Sequence, residues 1–190
     1  MKSALNILCL ISCWGILSGL QPVQRNATGK TDQRISREIL QKFKVREFNL
    51  KKLAITPGGG EGNESRGAFF GILTGDSLIG YLYTGRVNSC RKGGCSGPDN
   101  GDRPGEHEFF DYFTLFGQNK TVVQVVVHNY EATHGQEITA KGWLRQFTGY
   151  DGGRPLKPGK DIDAISGATI SVQGIVEDIS EQCAALRKFR

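Results

Sequence analysis

"FFDYFTLFGQNKTVVQVVVHN", Phe109 to Asn129, holds two runs of aromatic and β-branched residues, Phe109–Phe116 and Thr121–Asn129, on either side of Gly117-Gln118-Asn119-Lys120. Such residues favour extended chain, and a short polar link containing Gly joins antiparallel neighbours. The stretch therefore predicts a β-hairpin. Val122, Val123, Val125, Val126 and Val127 leave too few polar positions for a half-exposed strand, so the second strand is expected to be central in its sheet.

Upstream, Ala68–Leu73 and Leu78–Thr84 repeat the pattern around Thr74–Ser77, a second hairpin. Strands that return by hairpins rather than through crossover helices give a mainly antiparallel sheet. With helices packed on it, the fold class is α+β. Between the hairpins, Asn88–Glu108 is rich in Gly, Pro, Asp and Asn and reads as a long loop. Thr56–Ser65 reads as a turn or loop. Thr31–Phe43 predicts an amphipathic helix with Ile35, Ile39, Leu40 and Phe43 on one side and Thr31 or Asp32 as its cap. Gly142–Phe147 predicts a short helix or turn that turns Trp143, Leu144 and Phe147 inward.

The 190 residues suffice for one domain with a proper core. The net charge of +5 is spread out, with no basic run or stripe, and this sets nucleic-acid binding aside. At the N-terminus, Lys2 precedes an apolar run from Ala4 to Leu20, the pattern of a secretory signal peptide. Leu10-Ile11-Ser12-Cys13 also resembles a lipoprotein box, and the run could stay as a membrane anchor at the short end of the ~17–25 residues a span needs. All three options export the remainder.

In an oxidising compartment Cys90 and Cys95, separated by Arg-Lys-Gly-Gly, are expected to form a disulfide. Free thiols are the next reading, and a metal site with His107, His128 and His134 the last, since it lacks the paired C-x2-C spacing of zinc sites. Cys183 falls on the apolar face of the last helix and reads as a small buried hydrophobe.

That last helix is announced by Val172, Ile175, Val176, Ile179, Cys183 and Leu186, spaced by threes and fours from about Ser171 to Lys188. Gly174 within it weakens a helix by ~1 kcal/mol relative to Ala, so something is expected to pack closely there. Before it stands Asp163-Ala-Ile-Ser166-Gly167-Ala168-Thr169. Plain capping would need one Ser or Thr, with Asp163 ordering the preceding turn. The run contains more than a cap requires, and the free N–H groups of a helix start favour an anion.

The run resembles the flavinylation motif of the bacterial FMN-binding domain family. That family includes the C subunit of sodium-translocating NADH:quinone reductase, the G subunit of the Rnf complex and many exported single-domain proteins. The resemblance implies FMN joined through its phosphate to the Thr169 hydroxyl by an exported flavin transferase that uses FAD and releases AMP. Asp163, Ser166, Gly167 and Ala168 would be the sequence the transferase reads. A second block, Tyr130–Ile138 and Trp143–Gly149, resembles the segment before the motif in soluble members, and through it Glu131, Thr133, Gly135 and Trp143 become candidate flavin contacts. The resemblance spans roughly Phe109 to Leu186.

The expected organisation is a signal peptide or anchor at 1–20, an N-terminal helix and linker at 21–65, and an FMN-binding domain at 66–190. The expected function is that of an extracytoplasmic electron carrier, in the periplasm or on the outer face of the membrane, rather than a self-contained enzyme. It would work with a flavin transferase, unknown redox donor and acceptor proteins, and membrane-tethered partners. The alternative is a module of the same fold that binds flavin without a covalent bond, or serves a structural role.

Overall fold

The computed structural model describes residues 30–56, 67–91 and 107–190. The elements are α1 (Lys30–Phe43), β1 (Asn49–Lys52), β2 (Gly67–Thr74), β3 (Ser77–Arg91), β4 (His107–Gly117), β5 (Val122–Tyr130), α2 (Lys141–Leu144) and α3 (Thr169–Lys188), with single 3-10 turns at Gln136–Thr139 and Arg145–Phe147. The strands form one sheet in chain order, β1-β2-β3-β4-β5, and every pairing is antiparallel. The α+β class and both hairpins are as the sequence predicts. Among the described residues no helix is long and apolar enough to cross a membrane. The Ala4–Leu20 run and most of Thr56–Ser65 lie outside the described residues.

Side chains alternate across the sheet, and each face has its own core. On one face Ile35 and Ile39 of α1 pack on Ile72, Leu82, Phe113, Leu115 and Val126. On the other, α3 lays Val172, Ile175, Val176, Ile179, Cys183 and Leu186 against Tyr83, Phe110, Tyr112, Phe116 and Val127. Trp143, Leu144 and Phe147 of the α2 segment close the end of that second core. The apolar stripe foreseen for the last helix is therefore the stripe that is buried.

Three expectations need correction. First, β5 is an edge strand, not a central one. Its valines are buried because both of its faces are covered: Val126 belongs to the α1 side, while Val122, Val125 and Val127 belong to the α3 side. Coverage by helices mimics the apolar content of a central strand. Second, the chain between the hairpins is not all loop. β3 runs on to Arg91 and β4 begins at His107, so Asn88 pairs with Phe109 and Arg91 with His107 past a bulge. Third, α1 already includes Thr31 and Asp32, so neither is its cap.

Cys90 stands near the end of β3, while Cys95 lies outside the described residues, and with it the expected disulfide. Cys183 is fully buried, and burial pushes its thiol up to about 12. Gly174 is close-packed as expected, since a Cβ there would sit 2.8 Å from Val87 Cγ1.

Candidate functional site

The start of α3 is built by the residues before it. Asp161 ties down the approach: its carboxylate accepts from Arg154 Nη2 at 2.9 Å and from the Lys157 N–H at 3.0 Å. Ile162 then drops into the core at 1% exposure. The backbone of Asp163 is held on both sides, its N–H donating to Gln146 Oε1 at 2.9 Å and its carbonyl accepting from Trp143 Nε1 at 2.9 Å. Each such bond contributes about 1 kcal/mol net and fixes direction as well. The second block thus anchors the motif through its side chains.

From there the chain turns. Gly167 takes φ +80°, a left-handed conformation that L side chains adopt rarely, so the Gly has a backbone reason independent of any enzyme that reads it. Ala168 is buried and occupies the N-cap position, with φ −118° and ψ 19°. Neither Ser166 nor Thr169 plays the capping part: among the described residues no side chain caps the helix start. The first intrahelical bond runs from the Val172 N–H to the Ala168 carbonyl at 2.9 Å. The N–H groups of Thr169, Ile170 and Ser171 precede it and point outward along the axis. Ser166, Gly167 and Thr169 are exposed, and so is the Asp163 side chain. The turn before the helix is ordered by Asp161, the residue two places earlier, and not by the carboxylate of Asp163.

Beneath this exposed rim lies a chain of hydroxyls. Ser171 Oγ is 2.8 Å from Ser89 Oγ of β3 and 3.2 Å from Tyr130 Oη of β5. Tyr130 donates to the His134 carbonyl at 2.5 Å, which folds the 131–135 loop back over the helix start. Burial raises the Tyr130 pKa, so the phenol stays a donor at neutral pH. Gly135, at φ +89°, presses its backbone into this corner. A Cβ there would meet Tyr130 Oη at 2.9 Å, Ala168 Cβ at 3.1 Å and Ser171 Oγ at 3.2 Å.

The candidates from the second block separate into two groups. Gly135 and Trp143 touch the motif directly. Glu131 and Thr133 are tied to β4 instead. The Glu131 N–H donates to the Phe109 carbonyl at 2.9 Å, while its side chain is exposed. Buried Glu108 accepts the Thr133 N–H at 3.0 Å and also the Thr133 hydroxyl. Glu108 was concealed in a stretch that reads as loop, and Ser89 at the far end of that stretch. The one available signal was that Glu108 stands directly before a predicted strand; Ser89 had none.

The donor set fits a phosphate ester. The helix start offers three N–H groups and the positive end of a 20-residue dipole, with an exposed hydroxyl on its first residue. No curated protein matches the chain. Residues 107–181, from the first residue of β4 well into α3, match the family model described as FMN-binding domain, which supports a flavin-binding domain over that stretch.

Proposed function

We propose that this chain is an exported electron carrier that holds FMN through a phosphoester on Thr169. The observation that carries the reading is the state of that hydroxyl. Thr169 ends the Asp-x-x-Ser-Gly-Ala-Thr run, is exposed on the first residue of α3, and is not engaged in capping. When bound, FMN supplies one- and two-electron redox chemistry at its ring system. The residues of the chain bind and orient.

With FAD as donor, the Thr169 oxygen becomes bonded to the FMN phosphorus, the bond between the two phosphates breaks, AMP leaves, and the hydroxyl proton is released. The diester would keep one negative charge, and the N–H groups of Thr169, Ile170 and Ser171 would hold it. Asp163, Ser166, Gly167 and Ala168 present the segment to the transferase, and Trp143 and Gln146 hold it in place. Gly135 bounds the other side of the acceptor. Glu131 and Thr133 lie on the loop that would border the flavin. Redox partners would be proteins that reach this rim, tethered in the membrane or free. The Cys90–Cys95 bond belongs to the same reading, because export carries both thiols into an oxidising space.

Co-expression with an exported flavin transferase tests the proposal. The intact mass should exceed the polypeptide by one FMN less water, and the yellow colour should survive denaturing precipitation. Thr169→Ala should lose the adduct completely while remaining folded. An adduct that persists in Thr169→Ala, or that maps to Ser166 or Ser171, overturns the assignment. Colour that is lost on precipitation indicates the non-covalent alternative.

A further inference from the structure

Well outside the motif, a groove of about 190 Å³ opens beside β5, between α1 on one face of the sheet and the α2 segment on the other. Its floor includes four consecutive residues of β5, 123–126. Successive strand side chains point to opposite faces, so four in a row line one groove only if it runs along the edge of the strand. β5 ends the strand order, and among the described residues no further strand pairs with it. Among the described residues the outer edge is engaged at its start, where Val122 exchanges backbone bonds with Gly149 and Tyr150.

The rim is charged with one sign. Arg34 and Lys42 reach it from α1, and Lys141 and Arg145 from the α2 segment. None of the four forms an ion pair among the described residues. The sole carboxylate lining the groove, Glu38, accepts from Gln124 Nε2 at 2.8 Å, which occupies it within the wall. Four cations from two separate layers thus surround one open strand edge.

We infer that this groove is a docking site for an extended acidic segment of a partner protein, which adds to the sheet as a strand beside β5. Backbone groups along the edge would supply hydrogen bonds, and the alternating acidic side chains would reach cations on both sides. Charge complementarity selects the occupant: a basic segment would meet four like charges. Edge lysines also discourage strand pairing in general, and simple protection of the edge is the competing explanation. The two differ in outcome, because protection alone provides no affinity for an acidic chain. The inference does not depend on flavin attachment.

The full chain is titrated with a dye-labelled peptide alternating Glu and Val, and binding is followed by anisotropy. The expected result is saturable binding that weakens roughly tenfold as salt rises from about 0.1 M to about 1 M. Hydrogen exchange of β5 amides should slow in the complex. A Lys/Val peptide, and an N-methylated Glu/Val peptide that cannot pair as a strand, should both fail to bind. Arg34→Glu/Arg145→Glu should reduce affinity tenfold or more, and Lys42→Glu/Lys141→Glu provides a second pair should the first disturb α1. Absence of binding overturns the inference, as does binding that leaves β5 exchange unchanged. Complete displacement by inorganic phosphate or by an oligonucleotide overturns it as well, since either marks a general anion surface.

Discussion

The two faces of the sheet are built differently. The α1 face is packed from apolar side chains, Ile35, Ile39, Ile72, Leu82, Phe113, Leu115 and Val126, with the polar Glu38–Gln124 pair and His128 at its margin. The α3 face is larger and contains buried polar groups at two levels of the same helix. Near the helix start are Ser89, Tyr130 and Ser171. Two turns further on, Asp178 accepts from the Tyr112 hydroxyl, from Gln182 Nε2 at 3.0 Å and from the Tyr83 hydroxyl at 3.5 Å. A hydrogen-bonded polar group in a core adds little net stability, but it fixes geometry more sharply than apolar packing does. One face therefore serves mainly to keep the sheet folded. The other serves to place the start of α3.

The largest effect should fall on the α3 face and leave stability almost untouched. The carboxylate of Asp163 is exposed and caps nothing, while its backbone is held by Gln146 and Trp143. Were it a cap, Asp163→Ala would cost ~0.5–2 kcal/mol. With no capping bond to lose, we expect a change within ±0.5 kcal/mol by chemical denaturation, as for surface substitutions generally. Flavin loading should nevertheless fall to little or nothing when the transferase is co-expressed. Normal loading in Asp163→Ala would remove the recognition role.

The α1 face should show the reverse. Ile39 is fully buried. Ile39→Ala leaves a cavity and should cost about 2–5 kcal/mol. Flavin per folded molecule, read from absorbance against intact protein, should be unchanged. If loading fell in proportion to the loss of packing, the two faces would not be separable in function.

How far the sequence discloses this division depends on the scale of the signal. Hydrophobic period and turn composition locate α3, α1, α2 and the turns of both hairpins to within a residue or two, since those signals are local. They mislead at β5, where burial by helices on both faces resembles burial by neighbouring strands. They also end β3 early, because Asn88, Ser89 and the residues beyond are ordinary loop formers that happen to pair with Phe109 and His107. β1, the exposed Asn49–Lys52, has no apolar alternation to detect. At the site, Thr169 and its motif are legible because they are contiguous. Ser89, Glu108 and the Asp178–Tyr112 contact are not, because each joins residues more than twenty positions apart.

Gly174 tests how tightly the α3 face is fitted. Alanine is the better helix former by ~1 kcal/mol. Its methyl would lie 2.8 Å from Val87 Cγ1, in a buried strand residue with little freedom to move, and overpacking costs about 1–3 kcal/mol. The clash should win, giving a net loss of about 1 kcal/mol, and Val87→Ala in the same chain should relieve it. A Gly174→Ala protein more stable than the parent would mean that β3 gives way easily, and the second face would then be looser than its contacts indicate.

The smallest effect is a slope rather than a loss. Burial raises the Asp178 pKa above the ordinary carboxylate value, and neighbouring Glu181 adds to this, while hydrogen bonds from Tyr112, Gln182 and Tyr83 act in the opposite direction. A raised pKa means that the folded state holds the proton more tightly than the unfolded chain does. The associated stability is complete below the unfolded value of about 3.9 and is lost as pH rises through the folded value. Asp178→Asn has no proton to lose and keeps an oxygen for one donor. Its melting temperature relative to the parent should therefore climb as pH rises from about 4, then level off once Asp178 is ionised in the folded protein too. Ile39→Val, on the opposite face and away from Asp178, should show no such climb. A difference for Asp178→Asn that is equally flat would show that the carboxylate is ionised as readily in the folded protein as in water, and the polar level at Asp178 would then be solvated rather than part of the core.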